Sequence, residues 1–233
     1  MKTTRKDVAY VPPNDIPHGT KVDSKHDFNI VYADPPWEIN QRGNYGAIKH
    51  YDLMSLDQIK AMPVAELCQE NAMCFLWTTA GALPHAFDVL KSWGFKYCGI
   101  YVWIKFNLGL GNPLRNCVEF CLLGRRGKVE RTLNNQHNWG FFPLQFHSKK
   151  PEEMYSIIER LYGNCTERLE LFARLRPSNP NWYCWGNESA GGSDIYIPGY
   201  PVPEYSNRVK FTAPENVSSE QDTRKDSCTK EEA

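Results

Sequence analysis

Apolar runs broken at turn residues divide the middle of the chain into alternating strand and helix signals. Phe28 to Ala33 is a short apolar run that stops at Asp34-Pro35-Pro36. A proline pair cannot continue a strand, so a buried strand is predicted to end there. Ser55-Leu56-Asp57-Gln58 reads as a capping box, and a short helix is predicted from it to Pro63. Ala72 to Trp77 is a second buried run. Pro84 to Trp93 predicts a helix with proline near its start and Gly94 at its stop. Tyr97 to Lys105 and Val118 to Leu123, rich in aromatic and β-branched residues, predict two more strands. After Pro151, residues Met154, Ile157, Ile158 and Leu161 recur at helical spacing, and Glu152-Glu153 suit the positive end of that helix. Arg168 to Arg174 and Trp182 to Trp185 predict the closing strands. This order argues for an α/β fold with a mostly parallel central sheet and helices on both faces.

Composition then sets the limits of that domain. Residues 1–27 are polar, contain Pro12-Pro13, and read as an N-terminal arm. Residues 189–233 begin Ser189-Ala190-Gly191-Gly192-Ser193, end in a charged segment, and are expected to form a flexible tail. The folded domain is therefore predicted over 28–188. Of 233 residues, 41% are hydrophobic, which excludes global disorder. Lys+Arg and Asp+Glu both number 27, so a blanket of positive charge is excluded while a local basic patch is not. No apolar run approaches the roughly 20 residues of a membrane span. The charged start Met1 to Asp7 lacks a secretory pattern. None of Cys68, Cys74, Cys98, Cys117, Cys121, Cys165, Cys184 and Cys228 forms a C-x-x-C pair. They read as buried free thiols of a reducing compartment, with no metal site. The expected location is cytoplasmic, or nuclear in a eukaryote, and not secreted.

The most informative chemistry is Asp34-Pro35-Pro36-Trp37 at the carboxyl end of the first buried strand, where ligands bind in open α/β sheets. Transfer of a group to the exocyclic amine of a base requires acceptors for both amine protons. Asp34 can accept one and the carbonyl of Pro35 the other, with Pro36 stiffening the turn. Trp37 can stack on a flipped base. The competing reading makes Asp34 a turn cap and Trp37 a core residue.

Tyr32-Ala33-Asp34-Pro35-Pro36-Trp37 resembles the signature of the MT-A70-like adenine N6-methyltransferases. The resemblance continues in order through Tyr51-Asp52-Leu53-Met54-Ser55, Phe75-Leu76-Trp77-Thr78-Thr79, Val102-Trp103-Ile104-Lys105 and Glu119-Phe120-Cys121-Leu122. It closes with Ser148-Lys149-Lys150-Pro151-Glu152, Leu169-Glu170-Leu171-Phe172-Ala173-Arg174 and Trp182 to Glu188. It implies a Rossmann-like methyltransferase fold of permuted motif order, S-adenosylmethionine as cofactor, and direct in-line methyl transfer to a flipped adenine. By this likeness Asp34 and Lys150 hold the methionine part of the cofactor. Glu170, Phe172 and Arg174 line the ribose side, and Asn187 and Glu188 meet the adenine. The rival roles are a solvated Lys150, and a Glu170 paired with Arg168 or Arg174.

The expected substrate residues are Tyr51, Trp77, Trp103, Lys105, Glu119, Arg125 and Arg126. Nucleic acid, DNA or RNA, is expected along Gly124-Arg125-Arg126-Gly127-Lys128 with Arg131, along the polar loop Asn134 to Trp139, and near Arg42, Lys49 and His50. Tyr51 either shapes the base pocket or packs. Leu175-Arg176-Pro177-Ser178 and Asn187-Glu188 depart from the eukaryotic RNA-modifying pattern and look closer to compact prokaryotic and phage-type members, so DNA is favoured. The alternatives are an RNA adenine methyltransferase, or an inactive nucleic-acid-binding subunit of a methyltransferase complex. The family also implies a homo- or heterodimer with a second member. An oxidoreductase on the same fold would need Gly-x-Gly-x-x-Gly after the first strand, which is missing.

Overall fold

The computed structural model describes residues 27–38, 53–106, 109, 113–145, 149–177, 179, 181–189, 192–200 and 202. The elements in chain order are β1 (Phe28–Ala33), α1 (Leu56–Ala61), α2 (Val64–Leu67), β2 (Cys68–Thr78), α3 (Leu83–Ser92), β3 (Lys96–Ile104), β4 (Val118–Arg126), β5 (Trp139–Phe141), α4 (Glu153–Leu161), β6 (Arg168–Leu171) and β7 (Trp182–Trp185). The capping box forms. The Ser55 hydroxyl accepts the Gln58 amide at 3.2 Å, and the Gln58 side chain accepts the Ser55 amide at 2.7 Å. Such a cap stabilises a six-residue helix by about 1 kcal/mol.

The seven strands form one sheet in the order β5-β3-β4-β2-β1-β6-β7. β1 pairs in parallel with β2 and β6, β6 with β7, and β3 with β5. β4 is antiparallel to both β2 and β3, so it alone runs against the rest. β1, β2, β3, β5, β6 and β7 therefore end on the same edge of the sheet, and β4 begins there.

Alternation along the buried strands sorts side chains to two cores. Val31, Ala33, Cys74 and Leu76 face α1, α2 and α3, packing with Ile59, Val64, Ala86 and Val89. Ile30, Tyr32, Met73, Phe75 and Trp77 face α4, packing with Met154, Ile157 and Ile158. Both faces are covered, as the strand–helix alternation predicts. Cys68, Cys74, Cys121, Cys165 and Cys184 are buried, while Cys98 is exposed. No helix among the described residues is long and apolar enough to cross a membrane.

Two features depart from the expectations. β5 lies where a loop was predicted; it is three residues long, with Gly140 at its centre, and too short to show an alternating pattern. The expected tail from 189 is corrected over 192–200, where Ser193 to Ile197 and Tyr200 are buried. Ile195, Ile197 and Tyr200 join the core on the α1 side, and the Tyr200 hydroxyl donates to the Gln58 carbonyl at 2.7 Å. Asp194 accepts the amide of Cys184 at 2.8 Å and a two-pronged contact from Arg176 at 2.7 and 3.0 Å. The segment covers edge strand β7 and satisfies its unpaired groups. Its glycine and serine composition hid the apolar residues that follow.

Candidate active site

β1 delivers Asp34 to the common edge of the sheet. The turn after it is fixed from both sides. The Trp37 amide donates to the Pro35 carbonyl at 2.9 Å, and the Met54 amide donates to the Pro36 carbonyl at 2.9 Å. A carbonyl has two lone pairs, so Pro35 keeps one for a further donor. Trp37 does not present a stacking face. It is 5% exposed, lies in the core, and donates its indole N–H to the Trp77 carbonyl at 3.1 Å. The core reading of Trp37 replaces its expected base contact: it clamps the turn to β2.

Four charged side chains meet beside this turn in alternating order. The Lys150 ammonium lies 2.6 Å from Asp34 Oδ2 and 3.2 Å from Glu119 Oε2. The other oxygen of Glu119 accepts from Lys105. Lys105 follows β3, Glu119 lies at the start of β4, and Lys150 precedes α4, so segments remote in sequence converge here. A solvated Lys150 is thereby set aside. Trp77 and Trp103, 0% and 1% exposed, form the apolar floor with ring centroids 6.2 Å apart. The Lys150 ammonium sits 5.7 Å from the Trp77 ring and that of Lys105 sits 4.7 Å from the Trp103 ring. These two tryptophans are corrected from base-contacting residues to supports of the charged chain.

The two carboxyls respond differently to burial. Burial pushes Asp34 up; Lys150 pulls it back, Glu119 pushes again, and its value ends above the ordinary one. Burial also pushes Glu119 up, but the charges of Lys150 and Lys105 outweigh it and hold Glu119 low. Burial would lower Lys150, yet Asp34 and Glu119 together raise it. Glu119 is thus the fixed anion of the chain. Asp34, 29% exposed, is the carboxyl that can exchange partners.

The expected cofactor residues gather on the adjacent strands. Glu170 stands beside Tyr32 in the β1–β6 register, on the face that carries α4. Its hydrogen-bond partner is the Tyr155 hydroxyl at 2.9 Å, not Arg168 or Arg174. Burial pushes Glu170 up to about 8; the Tyr155 bond opposes this and the Asp34 charge adds to it. Tyr155 was missed by sequence reasoning. Its only signal was a place on the flank of the apolar stripe of α4, yet Tyr32 and Trp182 hold its ring edge-on at 5.2 and 5.1 Å. Phe172 takes a left-handed φ of 64° directly after β6 and packs on Trp185 at 5.5 Å. Arg174 and Glu188 pair at 2.9 Å across the ends of β6 and β7, and Asn187 beside them is exposed. Gly186 lets these ends meet, since a Cβ there would lie 2.3 Å from the Ala173 carbonyl oxygen.

Arg125 and Arg126 are not brought to this site. They sit inside β4 rather than on a loop, and Arg126 pairs with Ala72 where the site end of the same ladder pairs Phe120 with Thr78. At about 3.3 Å per residue that is roughly 20 Å away. Arg126 donates to the Ala65 carbonyl at 2.7 Å, a structural contact. Tyr51, with Arg42, Lys49 and His50, lies outside the described residues.

An otherwise parallel sheet with one reversed strand, helices on both faces and its polar groups at the strand ends is the architecture of a Rossmann-like methyltransferase. The MT-A70 family pattern matches residues 28–188, and the chain belongs to that family. It is 34% identical over 174 residues to the N(6)-adenosine-methyltransferase MT-A70-like protein of Drosophila melanogaster, covering 70% of this chain and 27% of the relative. It is 30% identical over 174 residues to the human N(6)-adenosine-methyltransferase catalytic subunit METTL3, covering 70% and 28%. A third relative, the type II methyltransferase M.MunI of Mycoplasma sp, is 25% identical over 183 residues, covering 69% and 77%. The matched region thus spans about a quarter of the length of the first two relatives and about three quarters of the third.

Proposed function

We propose that this chain is an S-adenosylmethionine-dependent adenine N6-methyltransferase acting on nucleic acid, with DNA the favoured substrate. The observation that carries this reading is the Asp34 carboxylate beside the Pro35 carbonyl at the end of a buried strand, joined to Lys150. The residues present fit the cofactor. Lys150 offers a cation to its carboxylate and Asp34 an anion to its ammonium. Glu170 can accept ribose hydroxyls, and Arg174, Asn187 and Glu188 frame the far side. When bound, the cofactor supplies an electrophilic methyl group.

The protein's part is positioning. Asp34 and the free lone pair of the Pro35 carbonyl accept the two protons of the target amine and aim its nitrogen lone pair. Trp77 and Trp103 exclude water beneath the charges. Glu119, held by Lys105, keeps Lys150 in place if Asp34 turns from it toward the amine. Transfer is direct, with no covalent enzyme intermediate. DNA is favoured because Leu175-Arg176-Pro177-Ser178 and Asn187-Glu188 depart from the pattern of the eukaryotic RNA-modifying members.

The test is incubation with methyl-labelled S-adenosylmethionine and single-stranded or duplex DNA and RNA, followed by identification of the labelled nucleoside. N6-methyladenine from DNA is expected. Label in RNA alone moves the substrate to the alternative. Binding of nucleic acid without binding of the cofactor makes the chain an inactive partner subunit and overturns the proposal.

A further inference from the structure

Beside the charged chain, between β5 and α4, lies a groove of about 370 Å³ that the reading above leaves unused. One wall is a single stripe of α4 (Glu153, Ser156, Ile157 and Arg160), and the other is β5 with Trp139 and the following Phe142. From Glu153 to Arg160 the helix rises about 10 Å, room for at least one nucleotide. The near end adjoins the active site. The Phe142 carbonyl accepts the indole N–H of Trp103 at 2.9 Å, and the Lys105 ammonium lies over that same ring.

We propose that this groove holds a nucleotide next to the target base on the same single strand, its base stacked on Trp139 and its phosphate met by Arg160. This rests on the nucleic-acid reading of the active site and specifies how the strand reaches it. Trp139 is 51% exposed on an edge strand, with the His137 ring 6.2 Å away, so an aromatic face is open where a core tryptophan would be covered. Gln136, 3.5 Å from the Arg160 guanidinium, supplies an amide for a base edge. Glu153 supplies an acceptor for an exocyclic amine. Tyr101, 4% exposed, closes the floor with its hydroxyl buried beneath β5. Gly140 lets the Tyr101 hydroxyl and the Phe142 ring pack against β5, because a Cβ there would lie 2.1 and 2.3 Å from them. One arginine opposite one glutamate makes a weak electrostatic site, so stacking supplies most of the affinity.

The experiment measures binding of the full chain to single-stranded DNA and, separately, single-stranded RNA oligonucleotides containing one adenine, across salt concentrations and without cofactor. Trp139→Ala is expected to weaken binding about tenfold, the size of one stacked base, while Trp139→Phe retains most of the affinity. Arg160→Ala is expected to reduce the salt slope by about 0.7, one phosphate contact on a single strand. An unchanged S-adenosylmethionine affinity establishes that each variant is folded. The DNA and RNA arms show which strand uses the groove. Wild-type affinity in both Trp139→Ala and Arg160→Ala overturns the proposal, as does failure of the unmodified chain to bind either strand. Trp139-dependent binding without methyl transfer retains the groove and removes the catalytic reading. Methyl transfer with unaltered binding in the variants does the reverse.

Discussion

Glu119, at the start of β4, lies between the ammonium groups of Lys105 and Lys150, whereas Arg125 and Arg126, at the end of the same strand, lie far from that charged chain. Both ends of β4 carry charges that the sequence marks as interesting, and only one joins the charged chain at Asp34. The difference comes from direction. β4 alone runs against the sheet, so its first residues reach the edge where the other strands finish and its last residues reach the edge where they begin. In a parallel sheet the strand ends gather function; for a reversed strand the rule inverts, and its beginning is the place to look.

The largest expected effect breaks the chemical end directly. Asp34→Ala removes one amine acceptor and one partner of Lys150 while Glu119 keeps its own pairing with that ammonium. Methyl transfer should fall by about a hundredfold or more, the scale of impaired positioning. The thermal melt of the variant establishes that it is folded. Activity within a few-fold of the unmodified chain would remove Asp34 from the proposed reaction and reduce the chain of charges to a structural device.

Glu170 sharpens the comparison from the other side, because it is a buried carboxyl with a tyrosine in place of a lysine. Two lysines hold Glu119 low, while burial without a cation pushes Glu170 up to about 8. The folded chain therefore holds the Glu170 proton more tightly than the unfolded one. That stabilisation is complete below the ordinary carboxylate value and is lost as pH rises through about 8. Glu170→Gln should flatten this loss, gaining relative stability between about pH 5 and pH 9. After allowance for partial exposure the gain is on the order of 1 kcal/mol, about 2–4 °C in melting temperature. Melting curves of the two proteins across that range provide the check, and parallel profiles would show that a counter-charge, supplied by the fold, already balances Glu170.

What the sequence revealed, and what it concealed, follows the same division between local and remote. The capping box, the proline stop after β1 and the helical stripe of α4 depend on residues within a turn or two of one another, and each formed as predicted. The motifs that carry Asp34, Lys150 and Glu119 were legible through resemblance. Their mutual contacts were not, because Lys150 and Asp34 are 116 positions apart and meet only through sheet order. Trp37, Trp77 and Trp103 show the opposite failure. An aromatic beside a catalytic motif reads equally well as a stacking face or a core filler, and burial decides. Ser193 to Ile197 was concealed by the glycine and serine before it, although Asp194 and Arg176 form a clamp 18 positions apart.

The smallest expected effect tests the non-chemical end. Arg125→Ala changes an exposed side chain on the sheet and should alter stability by no more than about 0.5 kcal/mol. Arg126→Ala removes the bond to the Ala65 carbonyl, worth about 1 kcal/mol. Neither should change nucleic-acid affinity or its salt dependence, because a strand positioned at Asp34 would have to extend roughly 20 Å along the sheet to reach them. Removing a single arginine–phosphate pair lowers the slope of log affinity against log salt by about 0.7 on a single strand and about 0.9 on a duplex. Titrations of the double variant at several salt concentrations can therefore resolve even one such pair. A slope lowered by twice the amount for one pair would mean that the nucleic acid follows β4 along its whole length, and the contrast between its two ends would then be one of distance from the chemistry rather than of role.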